Sequence, residues 1–144
     1  MILKILASSV FFFTCSSAYA LCTISDTGAG TIRLQPGSGA TSSIQLTAKC
    51  DTAFNITFDS QNMLNSSGSS TLKNESALAY TKLKNTIDVK YELSGDAGSQ
   101  WQVITNQKKK AAHSYVIVAR LGTVNLANLA AGDYHDHIII NIDY

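Results

Sequence analysis

Apolar residues recur at every second position through most of this chain. Ile44, Leu46, Ala48 and Cys50 alternate with Ser43, Gln45, Thr47 and Lys49. Phe54, Ile56 and Phe58 continue the pattern after Asp51-Thr52, and Ile87, Val89, Tyr91 and Leu93 repeat it between Asn85 and Ser94-Gly95. A period of two puts one set of side chains on one face of a pleated strand, so each run predicts a half-buried strand, the first carrying Cys50 inward. Residues 101–105 and 115–121 are further strand candidates, and 31–34 is a short one ended by the turn Gln35-Pro36-Gly37-Ser38-Gly39. The last run is the most regular. After Leu129-Ala130-Ala131-Gly132-Asp133, one face holds Tyr134, Asp136, Ile138, Ile140, Ile142 and Tyr144. With Ile139 apolar on the other face, this strand is expected inside a sandwich, both of its edges covered.

Between these runs the chain reads as connections. Residues 62–70 are rich in Asn, Ser and Gly and predict a loop, whereas 75–84 fit neither period and leave room for a short helical turn. Residues 106–113, with Lys108-Lys109-Lys110, read as a solvated hairpin tip, the basic run being too short for an anionic surface. The sum is an all-β fold.

The first twenty residues have a different logic. Met-Ile-Leu-Lys opens a charged start, an apolar stretch covers 5–13, and Ser16-Ser17-Ala18-Tyr19-Ala20 offers a small-x-small cleavage site, so a signal peptide over 1–20 is expected, removed after Ala20. A transmembrane anchor is the competing reading, but the apolar stretch is about half the ~20 residues that a bilayer requires; no stable membrane insertion is expected. Lipidation of Cys15 is disfavoured because Phe12-Phe13-Thr14 lacks the Leu and small residues that precede such a cysteine. The protein is therefore expected to be secreted through this leader.

A length of 144 residues, 45% of them hydrophobic, then leaves one domain over 21–144. Eleven Lys and Arg against ten Asp and Glu are scattered along the chain, without the basic patch of a phosphate-backbone binder, so nucleic acid is not an expected partner. Of three cysteines, Cys15 leaves with the leader. In an oxidising compartment Cys22 and Cys50 have only each other, and closing that loop stabilises a fold by about 3–4 kcal/mol on the chain-entropy model. A reactive thiol pair would instead show Cys-x-x-Cys spacing or basic neighbours.

Little else suggests chemistry. His135 and His137, two apart in a strand, share a face and invite a metal reading, but Asp136 points the other way and only the distant Asp133 and His113 offer further ligands; no metal site and no cofactor are expected. No catalytic residue stands out, since nucleophile elbow, zinc-protease and phosphate-loop motifs are missing from the sequence, and the protein does not read as an enzyme. Asp26 with Gly28 and Gly30, and Asp96 with Gly98, are turn signals rather than calcium loops. Asn55-Ile56-Thr57, Asn65-Ser66-Ser67 and Asn74-Glu75-Ser76 match the glycosylation sequon.

The terminal segment Ala131-Gly132-Asp133-Tyr134-His135-Asp136-His137-Ile138-Ile139-Ile140-Asn141-Ile142-Asp143-Tyr144 resembles the Ala-Gly-x-Tyr-x-Asp ending of spore coat protein U domains, shared by archaic (Csu-type) chaperone-usher pilus subunits. The likeness extends back through Cys22 and Cys50, Leu72-Lys73-Asn74 and the strands at 87–93 and 115–121. It implies an incomplete immunoglobulin-like β-sandwich, pilin-like and missing its last strand, completed by a strand from a periplasmic chaperone and later from a neighbouring pilus subunit at an outer-membrane usher. In the bacterial periplasm so implied, the three glycosylation sequons are fortuitous matches. On that resemblance Ile138, Ile140 and Ile142 form the floor of the acceptor groove, within a strand ending at Tyr144. Tyr134 packs at the sandwich end, Asp136 accepts from backbone N–H groups, and 31–34 lies opposite. Shaft subunits carry an alternating apolar stretch before the first cysteine. Here only Leu21 stands between the expected cleavage site and Cys22, which suits a terminal or tip position in a surface fibre serving adhesion and biofilm. The alternative is a self-sufficient secreted or coat-associated sandwich that binds without polymerising; a small metalloprotein using His135 and His137 ranks third. Loops 62–70 and 107–113 are the places where a single domain of this kind offers adhesive contacts.

Overall fold

The computed structural model describes residues 21–28, 30–76, 82–109 and 111–144. The expected signal peptide, with Cys15, lies outside them, as does the middle of the ambiguous segment 75–84. Eight strands follow in order: β1 (Cys22–Asp26), β2 (Thr41–Cys50), β3 (Phe54–Ser60), β4 (Ser69–Lys73), β5 (Thr86–Gly95), β6 (Thr105–Gln107), β7 (His113–Leu121) and β8 (Ile138–Asp143). All ladders are antiparallel, forming one sheet in the order β1-β2-β7-β5-β4 and a second in the order β6-β3-β8. Among the described residues helical structure is limited to a 3-10 turn at Leu126–Asn128, capped by the Asn125 side chain. Among the described residues no helix is long and apolar enough to cross a membrane.

The alternation does what a period of two requires. Ile44, Leu46, Ala48 and Cys50 of β2, Val89, Tyr91 and Leu93 of β5, and Tyr115, Ile117, Ala119 and Leu121 of β7 are buried together, and Phe54, Ile56 and Phe58 reach the same core from the second sheet. The Phe58 ring lies 5.3 Å from that of Tyr115 and 6.3 Å, edge-on, from that of Trp101. Burying such rings between two sheets is the main apolar drive of the fold. The expected bridge is present: Cys22 and Cys50 are disulfide-bonded, joining the start of β1 to the end of β2.

Several sequence expectations are corrected. The chain at 31–34 is extended but pairs with no strand, because Asp26 Oδ1 takes the Gly28 N–H in a local turn and Gly30 adopts φ +71, which carries the chain off β2. Ile32 and Leu34 still pack against the core. At 101–105 only Thr105 is in a strand: Trp101 is fully buried, its neighbour Gln102 turns with φ +61, and β6 forms afterwards. The segment 106–113 is no hairpin tip, since β6 and β7 belong to different sheets and the basic connection crosses between them. The loop expected over 62–70 stops at Gly68, and Ser69 and Ser70 open β4.

The largest correction concerns the last strand. It does not lie inside a sheet. At His135 the chain exchanges two backbone hydrogen bonds of 2.8 Å with Lys73, at the outer edge of β4 in the large sheet, and only from Ile138 does it join β3 in the small one. Among the described residues β8 has β3 on one side and no strand on the other.

Candidate functional site

Two hydrogen bonds fix the phase of the small sheet. Gln61 N–H donates to His137 C=O (2.8 Å), and on the far side of β3 Gln102 N–H donates to Phe58 C=O (2.7 Å). Because bonding alternates along an antiparallel pair, the odd-numbered residues of β8 bond to β3 and the even-numbered ones face away. Ile138, Ile140 and Ile142 therefore turn three N–H and three C=O groups toward the unpaired edge. Their side chains point inward and pack against the core, yet each is only half-buried. Across β3, the paired Phe58, Ile56 and Ser60 are buried. An edge that offers a hydrogen-bond ladder and an incompletely covered apolar row is a site for strand addition. Ile32 and Leu34, also apolar, extended and half-covered, pack on the same core.

The inward alternation begins before the strand does, for Tyr134 and Asp136 are half-buried while His135 and His137 are exposed. Gly132 opens this run with φ +136, and a Cβ there would stand 2.6 Å from the Asn74 Nδ2 that donates to Ala131 C=O, so a larger residue would push the segment off its seat. Tyr134 reaches back, its hydroxyl donating to Ala130 C=O at 2.7 Å, with Lys84 C=O at 3.2 Å. This local corner holds the chain where it leaves the large sheet.

Asp136 is the junction of the site. Its Oδ1 accepts from the backbone N–H groups of His137 (2.8 Å) and Asn62 (3.2 Å); its Oδ2 accepts from Ser70 Oγ (2.7 Å) and the Tyr91 hydroxyl (3.0 Å). Ser70 Oγ lies 2.9 Å from Ser60 Oγ, and Ser60, Ser70 and Tyr91 are buried. One carboxylate thus ties the segment entering β8 to the turn after β3 and to β4 and β5. Burial, and then the charge and hydrogen bond of Asp136, push the Tyr91 hydroxyl well above its ordinary value of 10. Tyr115, whose hydroxyl is buried without a partner, is raised by burial and by the Asp96 charge.

The backbone donors to Asp136 match the sequence expectation; the hydroxyl donors do not follow from it. The sequence places Ser70 in a loop, and Tyr91 reaches Asp136 from β5 of the large sheet, a relation no local pattern encodes. Tyr144, placed on the inward face by parity, is instead 67% exposed, because the ladder ends at Asp143. Among the described residues no group of three or more His, Cys, Asp or Glu side chains is arranged to hold a metal ion. His113 contacts Asp96 at 3.5 Å, apart from the two histidines of the terminal run.

No protein-family model matches the chain, and no curated protein matches it.

Proposed function

We propose that this protein is a secreted structural subunit of a chaperone-usher surface pilus, an immunoglobulin-like sandwich lacking its last strand that accepts one from a chaperone or a neighbouring subunit. The observation that carries this reading is the unpaired edge of β8, where Ile138, Ile140 and Ile142 present both backbone hydrogen-bonding groups and half-covered side chains. An extended segment with alternating apolar residues answers both needs at once: its backbone completes the ladder and its inward side chains cover the isoleucines. The chaperone supplies that strand in the periplasm and the next subunit replaces it during export at the usher, giving a fibre for adhesion and biofilm. The leader directs the chain to that compartment, and the bridge between Cys22 and Cys50 suits its oxidising chemistry.

The test is native mass spectrometry of the tagged protein from the periplasm of its own host, with amide exchange on the same sample. A stoichiometric chaperone complex in which the Ile138, Ile140 and Ile142 amides are protected, lost when Ile140→Asp is introduced, is the expected result. A bare, cooperatively folded monomer with those amides open would overturn the proposal and leave the self-sufficient binding domain.

A further inference from the structure

The other end of the molecule carries an independent inference. β1 is the outer strand of the large sheet, paired only with β2. Burial does little to keep it there: four of its five residues are exposed and Cys22 is half-buried. Ile24 shows the deficit most clearly, being 58% exposed although its register partner Ala48 is 2% exposed on the same face. What remains is a short ladder, the exposed hydrogen bonds of the Thr23 and Thr27 hydroxyls to the β2 backbone, and the covalent bridge. The ladder phase follows from Asp51 N–H donating to Leu21 C=O and Thr27 N–H donating to Gln45 C=O, so Thr23, Ser25 and Thr27 bond to β2 while Cys22, Ile24 and Asp26 face outward. A strand of this kind, with few buried apolar contacts, belongs to the least stable part of a fold.

We infer that the disulfide between Cys22 and Cys50 is the lock that keeps β1 on the large sheet, and that opening it releases β1 and bares the edge of β2. The groups freed are the N–H and C=O of Gln45, Thr47 and Lys49, which face β1. Opening needs a dithiol: the bridge gains two electrons and two protons and becomes two thiols, while the dithiol becomes a disulfide. The core is untouched by this, because β2 keeps its whole ladder to β7 and its inward residues remain packed. The inference does not rest on the pilus reading, since it concerns the opposite sheet.

Amide exchange of the purified chain, oxidised and after dithiothreitol, decides it, with Cys22→Ser/Cys50→Ser as a reductant-free control. The expected result is loss of protection at Thr23, Ser25, Thr27, Gln45, Thr47 and Lys49 to the level of an unstructured chain, with Tyr91 and Ile117 still protected and faster only by the global stability that the bridge supplied. Unchanged exchange at Thr23, Ser25 and Thr27 overturns the inference. Protection lost to the same level at Tyr91 and Ile117 overturns it too, because the bridge would then secure the whole domain rather than one strand.

Discussion

β3 and β8 lie side by side in one sheet and carry the same apolar alternation, but their inward residues meet different fates. Phe54, Ile56 and Phe58 of β3 are buried in a strand flanked by β6 and β8, with the Phe58 ring against Tyr115 and Trp101. Ile138, Ile140 and Ile142 of β8 are no less apolar and are half-buried. The difference lies in neighbours rather than in sequence: one strand has two flanking strands, and the other has one and an open side. Hydrophobicity determines which face turns inward, whereas coverage depends on what is packed around it.

The comparison breaks most readily at Phe58. Phe58→Ala should cost about 3–5 kcal/mol in a denaturant titration, as a large cavity in a closed core does, while Ile140→Ala should cost less, about 1–2 kcal/mol, because its side chain is only partly covered. Equal losses would show that the edge is closed in solution. A strand supplied in trans should widen the cost of Ile140→Ala and leave that of Phe58→Ala unchanged.

A smaller effect is expected at the junction that holds β8 in place. Asp136→Asn puts an amide N–H₂ among four donors, so one or two lose their acceptor, and a loss of about 2 kcal/mol is expected by thermal or chemical unfolding. Amides at the start of β8 should open while those of β7 stay protected. A neutral Asp136→Asn would mean that the β3 ladder alone positions the strand.

The smallest effect per step is alkaline. Tyr91 and Tyr115 hold their protons more tightly folded than unfolded, so above pH 10 the unfolded chain loses protons that the folded one keeps, and stability falls as pH rises. Each contributes a slope of about 1.4 kcal/mol per pH unit, which Tyr91→Phe should remove for its own share. If the slope above pH 10 is the same in Tyr91→Phe, its hydroxyl is not held by Asp136 and the link between the sheets is weaker than the geometry indicates.

Legibility in the sequence follows the range of the interaction. The strands at β2, β3, β5 and β7 are readable because their inward and outward residues alternate over at least five positions. β1 and β4 escape notice because they are short and mostly polar: Ser70 is buried through its hydroxyl bonds, and Ile24 is apolar but exposed. Trp101 illustrates another failure. Its burial comes from a loop folding over the core, and no period marks it. The polar site is half legible: parity places Tyr134 and Asp136 inward, but nothing local connects them with Lys84, Ser70 or Tyr91.

By itself the sequence determined an all-β fold, the inward faces of its long strands and the pairing of Cys22 with Cys50, since side-chain alternation is a property of the extended backbone and the expected loss of Cys15 with a leader leaves two cysteines with one pairing. Only the tertiary structure decided that β8 is an edge strand, that 31–34 leaves the ladder, and that Asp136 gathers donors from two other strands and from the turn after β3. Those outcomes depend on which segments become neighbours, and neighbours are chosen by the packing of the whole chain rather than by any stretch of it.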